Sequence, residues 1–136
     1  MIIKYRVWCE FEINGKIEKC MESPASWFLL TQTGKLLESG PVVLPQPLSK
    51  AYIKAIPLFY TGCKDKNGKD IYEGDIVKLY EHHQPEVVEY CGSIFGVFLY
   101  KTKKRNNGTF QSIDEWCPID CPIEVIGNIY ENGDLL

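Results

Sequence analysis

The chain predicts a mainly β fold, a β-rich α+β protein made of a small bent sheet or partial barrel preceded by an N-terminal excursion of hairpins. Three observations lead there. Short runs of β-branched and aromatic residues recur in the second half, DIVKLYE, PEVVEYC, SIFGVFLYK and IEVIGNIYE, separated by turn formers. Near the start, Asn14-Gly15 sits between VWCEFEI and KIEKCM, and Asn-Gly readily supplies the positive φ angles of a type I′ hairpin. Further on, Gly74-Asp75 stands directly before Ile76-Val77, marking a chain that turns sharply into a strand.

Taken in order, the first third reads as hairpins, the one at Asn14-Gly15 and a second pairing WFLLTQ with KLLES around Thr33-Gly34. Residues 41–57 change character, because the four prolines of PVVLPQPLSKAYIKAIP deny ladder donors and fix the backbone. Between those prolines LSKAYIKAI is expected to make a short helix capped by Ser49. From Ile71 the strand signals strengthen, and Cys91-Gly92-Ser93 is a connection short enough to make a hairpin of its flanking strands. KTKKRNNGTF then forms a loop or hairpin tip turning at Asn107-Gly108, IEVIGNIYE is the last strand, and the end around Asn132-Gly133 is polar. The Gly-Asp-x-Val start at Gly74 resembles that of SH3-like barrels, which specifies architecture and leaves function open.

At 136 residues the chain is one domain by length, and its 45% hydrophobic and 24% charged residues are an ordinary globular mixture. Its longest apolar runs are a few residues, so no membrane span is expected. The opening MIIKYRVWCEFE puts charge inside what would be the apolar core of a signal peptide, which points to a cytoplasmic protein. In that reducing compartment the six cysteines are expected as free thiols. A net charge of −3 argues against nucleic-acid binding by charge alone, while leaving room for a local basic patch.

The stretch closest to a motif is YTGCKDKNGKDIYEGDIV, residues 60–77. Its Lys64-Asp65-Lys66-Asn67-Gly68-Lys69 reads as a tight polar turn, with Asp65 accepting from later backbone amides and Asn67-Gly68 taking left-handed angles. A calcium loop fails on spacing, since Ile71 and Tyr72 fall where ligands would be required. The run resembles the signature of the YopX-like proteins, a phage and prophage family whose usual pattern is Tyr-Thr-Gly-Leu-x-Asp-Lys-Asn-Gly-x-x-Ile-Tyr-Glu-Gly-Asp-Ile. The ending IEVIGNIYENGDLL and the opening KYRVW are similar to the same family's ends.

Cys63 departs from this pattern, standing where a leucine is usual, Cys9 follows Trp8 where an acidic residue is common, and residues 9–58 carry no match to it. The resemblance implies one YopX-like domain over 1–136, with 9–57 a variable excursion and 58–136 the β core. It implies structural roles for Tyr60, Gly62, Asp65, Asn67, Gly68, Tyr72, Gly74, Asp75, Gly127 and Asn128. It further implies a small phage-derived protein of the bacterial cytoplasm, compatible with a homo-oligomer, with no catalytic residue and no cofactor to carry over.

Other constellations compete with ordinary structural readings. Cys117 and Cys121, with His82-His83, suit zinc by ligand type, but a single Cys-x3-Cys without a second close pair is a loose spacing, so no metal site is expected. A nucleophilic cysteine would need an oriented histidine, and the EHHQPE histidines read as a solvated loop. Glu73 and Asp75 would share a face of one strand and could act as an acid-base pair, although the corner reading explains them at less cost. Lys101, Lys103, Lys104 and Arg105 place four cations in five residues, a candidate phosphate grip above a hairpin that carries Tyr90, Phe95, Phe98 and Tyr100. The sequence therefore leads to a non-catalytic interaction protein with an unidentified host or phage partner, and alternatively to an accessory nucleic-acid binder using the 101–105 tip.

Overall fold

Asn14 and Gly15 both take left-handed backbone angles, φ 52° and 77°, and join β1 (Tyr5–Ile13) to β2 (Lys16–Glu22) as the type I′ hairpin that Asn-Gly predicts. The computed structural model describes residues 4–23, 28–30, 35–40, 43–47, 52–91, 94–99, 109–113 and 121–136. The chain divides into two compact units, Met1–Phe59 and Tyr60–Leu136. Among the described residues there is no α-helix, and so none long and apolar enough to cross a membrane. The fold class is the small β-rich one expected.

In the first unit β1 is the central strand, paired on one side with β2 and on the other with the first part of β6 (Tyr52–Lys64). Period-two alternation puts Val7, Cys9 and Phe11 on one face, where Ala55 lies opposite Cys9 on β6 and Cys20 opposite it on β2. Leu30 and Leu36 complete this core from a second sheet, β3 (Phe28–Leu30), β4 (Leu36–Gly40) and β5 (Val43–Pro47), ordered β3-β4-β5. On the opposite face of β1, Glu10 lies between Lys19 and Lys54, its register partners, with ammonium-to-carboxylate distances of 3.9 and 3.8 Å. Its carboxylate also accepts the Trp8 indole N–H at 3.0 Å.

Two expectations for this region are corrected. Residues 52–56 of the predicted helix are extended and open β6, while Ser49, its expected cap, lies outside the described residues. Tyr52, Ile53 and Ile56 are aromatic or β-branched, and pairing with β1 outweighs a helical turn too short to stand alone. The prolines do not exclude strand either: Pro45 and Pro47 lie on β5, which pairs only with β4 among the described strands, so their missing N–H groups need no ladder partner. The second hairpin pairs β3 with β4 in register, Leu30 opposite Leu36, although Thr33-Gly34 lies outside the described residues.

The second unit takes the end of β6 and β7 (Asp70–Tyr72), β8 (Asp75–Lys78), β9 (Glu86–Val87), β10 (Glu89–Cys91), β11 (Ile94–Leu99), β12 (Thr109–Ser112) and β13 (Glu124–Asn128). Its sheets run β13-β8-β9 and β10-β11-β12, and β6 pairs with β7. Cys91 lies opposite Ile94, which is the short hairpin expected there, and β11 continues into pairing with β12. Ile71, Val77, Leu79, Val88, Val97, Ile113 and Ile123 form the core, with Cys63, Phe95, Cys121 and Val125 packed against it. At about 25 cal/mol per Å2 of apolar surface removed from water, burial of these aliphatic side chains is the main force closing the unit.

The turn at Asn14 generates the first prediction. Asn14→Ala puts an ordinary side chain at φ 52° and should lower stability by about 1–2 kcal/mol, whereas Asn14→Gly should leave it nearly unchanged, as read by urea denaturation.

Candidate functional site

Asp65, 5% exposed, uses its carboxylate to tie down its own turn and a distant strand. One oxygen, Oδ1, accepts the N–H groups of Asn67 at 2.9 Å and Lys69 at 2.8 Å, and Oδ2 accepts that of Val125 at 3.0 Å. The loop is closed by Asp65 N–H donating to the Lys69 carbonyl at 2.7 Å and Gly68 N–H to the Asp65 carbonyl at 3.0 Å. Gly68 takes a left-handed φ of 80°, while Asn67, expected to share that geometry, does not. Lys66 N–H donates to the Ile123 carbonyl at 2.8 Å and its ammonium meets Glu124 at 3.0 Å, so the loop lies along β13. A cation would find the Asp65 oxygens already facing positive N–H dipoles, which is why the loop is a turn rather than a calcium site.

On either side of this loop the signature shapes the chain. Tyr60 opposite Tyr72 and Lys64 opposite Asp70 bracket a bulge in which residues 61–63 face Ile71, and Gly62 takes φ 89°. Thr61 satisfies the interrupted ladder, its hydroxyl donating to the Ile71 carbonyl at 2.7 Å and accepting from Cys63 N–H at 3.2 Å. The Tyr60 and Tyr72 rings pack at 5.7 Å, and Lys64 meets Asp70 at 2.7 Å. Gly74, φ 85°, then turns β7 into β8, and the fully buried Asp75 accepts Tyr72 N–H at 2.8 Å through Oδ2. Glu73 and Asp75 therefore flank a corner and do not share a strand face.

The C-terminal part of the signature meets this corner directly. Asn128 is the register partner of Asp75, Gly127 that of Ile76, and Ile129 N–H donates to the Gly74 carbonyl at 2.9 Å. Asn128 Oδ1 accepts from Tyr130 and Glu131 N–H at 3.0 and 2.9 Å, folding the chain back at the strand end. A Cβ on Gly127 would stand 2.7 Å from Asn132 Oδ1, so this position is kept for glycine by close approach, with Asn132 in turn accepting Asn128 N–H at 3.2 Å. Thr61 and Asn132 escaped the sequence reading; the Thr-Gly pair of the signature and the Asn-x-x-x-Asn spacing of the ending are the signals that carry them.

The remaining candidates fall elsewhere. Lys101, Lys103, Lys104 and Arg105 lie outside the described residues, as does Cys117. Cys121 packs against the core, His82 is exposed, and the His83 ring rests edge-on against Tyr80 at 4.8 Å. Among the described residues no group of three or more His, Cys, Asp or Glu side chains is assembled. Cys9 is buried, and burial, reinforced by neighbouring Cys20 and Glu22, pushes its thiol up to about 12, which holds it protonated at neutral pH. Glu86, also buried, is held above its ordinary value of 4.5 by desolvation, only partly offset by the Gln84 amide at 2.9 Å and the nearby His83.

Asp75→Ala should lower stability by about 0.5–2 kcal/mol through loss of the corner bond. Asp65→Ala removes the acceptor of three part-buried N–H groups and should cost more, at least about 3 kcal/mol at roughly 1 kcal/mol or more for each donor left unsatisfied, both measured by urea denaturation. Glu86 makes stability depend on pH. Its raised folded pKa means that the folded chain keeps a proton the unfolded chain has released, so this contribution favours folding below about pH 4.5 and is lost as pH rises through the folded value. Glu86→Gln should therefore raise the melting temperature at pH 7 and lose that advantage at pH 4.

Comparison with known proteins agrees with this geometry. The YopX protein family model matches residues 4–136, which extends the resemblance across the 9–58 segment that the motifs alone did not cover. Among solved structures, protein EF1440 from Enterococcus faecalis is similar over 100% of this chain and 99% of its own, at 21% identity and a TM-score of 0.54, which is a likeness of fold. None of the curated proteins matches. With its signature residues forming the loop, bulge and corner just described, the chain belongs to the YopX protein family.

Proposed function

We propose that this YopX protein is a non-catalytic, phage- or prophage-encoded interaction module of the bacterial cytoplasm, which recognises a host or phage protein by adding that partner's strand to a sheet edge. The observation carrying this reading is β2: a seven-residue strand that among the described strands pairs only with β1, with residues 16–19 exposed. Such an edge offers a row of backbone donors and acceptors to an extended segment. Lys16, Glu18, Lys19 and Glu22 add alternating charge that would select a complementary partner, and Ile17, 59% exposed, adds an apolar anchor. The groups most suited to chemistry in the signature, the Asp65 and Asp75 carboxylates, are engaged by backbone N–H groups, which supports a structural role for the motif.

The ladder itself supplies the test. In a hairpin closed by a two-residue turn, Ile13 and Lys16 exchange hydrogen bonds, so every second pair does, and the N–H of Lys19 points away from β1. Lys19→Pro should remove one edge donor while sparing the hairpin, and Lys19→Ala should remove only the charge. Tagged protein is used to recover partners from bacterial lysate with and without nuclease, read by mass spectrometry. One dominant protein that survives nuclease, is kept by Lys19→Ala and is lost by Lys19→Pro is the expected result. A partner kept by Lys19→Pro would overturn the edge reading, and recovery of nucleic acid with proteins lost on nuclease treatment would favour the 101–105 tip.

A further inference from the structure

Cys9 and Cys20 are direct register partners across β1 and β2. Stepping back from the turn in pairs, Ile13 with Lys16, Phe11 with Glu18 and Cys9 with Cys20 are the hydrogen-bonded positions. Residues so placed have side chains on the same face and Cα atoms about 5.5 Å apart, inside the range of about 4.4–6.8 Å that a disulfide spans; their Cβ atoms, about 5 Å apart, must close to about 4.5 Å or less, so forming the bond draws the two strands together. Neither is in a disulfide. They are also unequal: Cys9 is 2% exposed and packs in the core of the first unit, whereas Cys20 is only partly buried at its margin. A partly exposed cysteine beside an enclosed one is an arrangement in which the first can meet the oxidant and the second resolve the product.

We propose that Cys9 and Cys20 form a redox-active pair that closes to a cross-strand disulfide when the protein meets a small disulfide oxidant such as oxidised glutathione. The Cys20 thiolate attacks one sulfur of oxidised glutathione, forming a mixed disulfide and releasing one glutathione thiolate. Cys9 then loses its proton to solvent and attacks Cys20 Sγ, breaking the mixed bond and releasing the second glutathione thiolate. Two protein thiols are oxidised and one glutathione disulfide is reduced to two thiols. The resolving step draws on a buried thiol with a strongly raised pKa, so closure is slow at neutral pH and accelerates as pH rises. Once formed, the bond pins the hairpin whose outer strand is the free edge.

The full chain is equilibrated in reduced and oxidised glutathione at several ratios, then denatured, alkylated and digested with trypsin without reduction. Trypsin cleaves after Arg6, Lys16 and Lys19, which separates the two cysteines onto different peptides. The expected product joins peptide 7–16 to the peptide beginning at Cys20, and alkylatable thiols fall from the six in the chain by the two consumed, to four. The oxidised protein should melt higher than the reduced one. Cys9→Ala should stall at glutathione bound to Cys20, and Cys20→Ser should show neither adduct nor melting shift. Wild-type protein that stops at the mixed disulfide, keeps all its thiols, or links other cysteines in place of this pair would overturn the proposal without recourse to either variant.

Discussion

The second unit depends on the Asp65 carboxylate more than on any other polar group. Through one oxygen it holds the turn that follows it, and through the other it holds the backbone of Val125, sixty residues later. A charged acceptor with three N–H donors is among the stronger arrangements available to a small β protein, because each bond is charge-assisted and the site is shielded from water. With Lys66 bonded to the Ile123 carbonyl, it sets where β13 lies against the loop. The Gly74-Asp75 corner fixes the other end of the same strand, through the Gly74 carbonyl and the Asp75–Asn128 pair. The apolar cluster around Ile71, Val77 and Ile123 then closes on strands whose positions the loop and corner have defined.

The first unit works by different means. Its central strand buries residues on both faces, Val7 and Cys9 on one and Arg6 and Trp8 on the other, so its register cannot slip by one residue without exchanging the two sets. Both flanking strands are tolerant by comparison. β6 absorbs an extra residue near Ile53, between the Glu10–Lys54 and Phe11–Tyr52 pairs, and β2 carries charges along its outer edge. Mixed charge on an edge discourages indiscriminate strand addition while permitting a matched partner, which is compatible with the strand-addition role proposed for β2.

The distribution of polar groups connects fold to function. In the signature, aspartate, asparagine and threonine side chains turn toward backbone N–H and C=O groups at a loop, a bulge, a corner and a strand end. Such side chains are needed because short, sharply bent strands leave main-chain groups without ladder partners, and each buried one must be satisfied. On the hairpin, by contrast, the exposed outer strand β2 carries Cys20, which faces Cys9 on β1.

How much of this was legible in the chain differs from element to element. The Asn14-Gly15 hairpin, the strands after Ile71, the Gly74 bend and the turn-holding role of Asp65 are local consequences of backbone stereochemistry and side-chain reach, and a sequence determines them unaided. In the short segment from Tyr52 the few apolar residues fit either period, and only pairing with β1 decides between helix and strand. The prolines of β5 read as breakers until an edge position made their missing donors harmless. Likewise the second Asp65 oxygen, the approach of Asn132 to Gly127 and the facing of Cys9 by Cys20 are products of long-range placement or strand register. Local chemistry dictates where a chain can turn; which distant backbone meets that turn depends on the packing of the whole sheet.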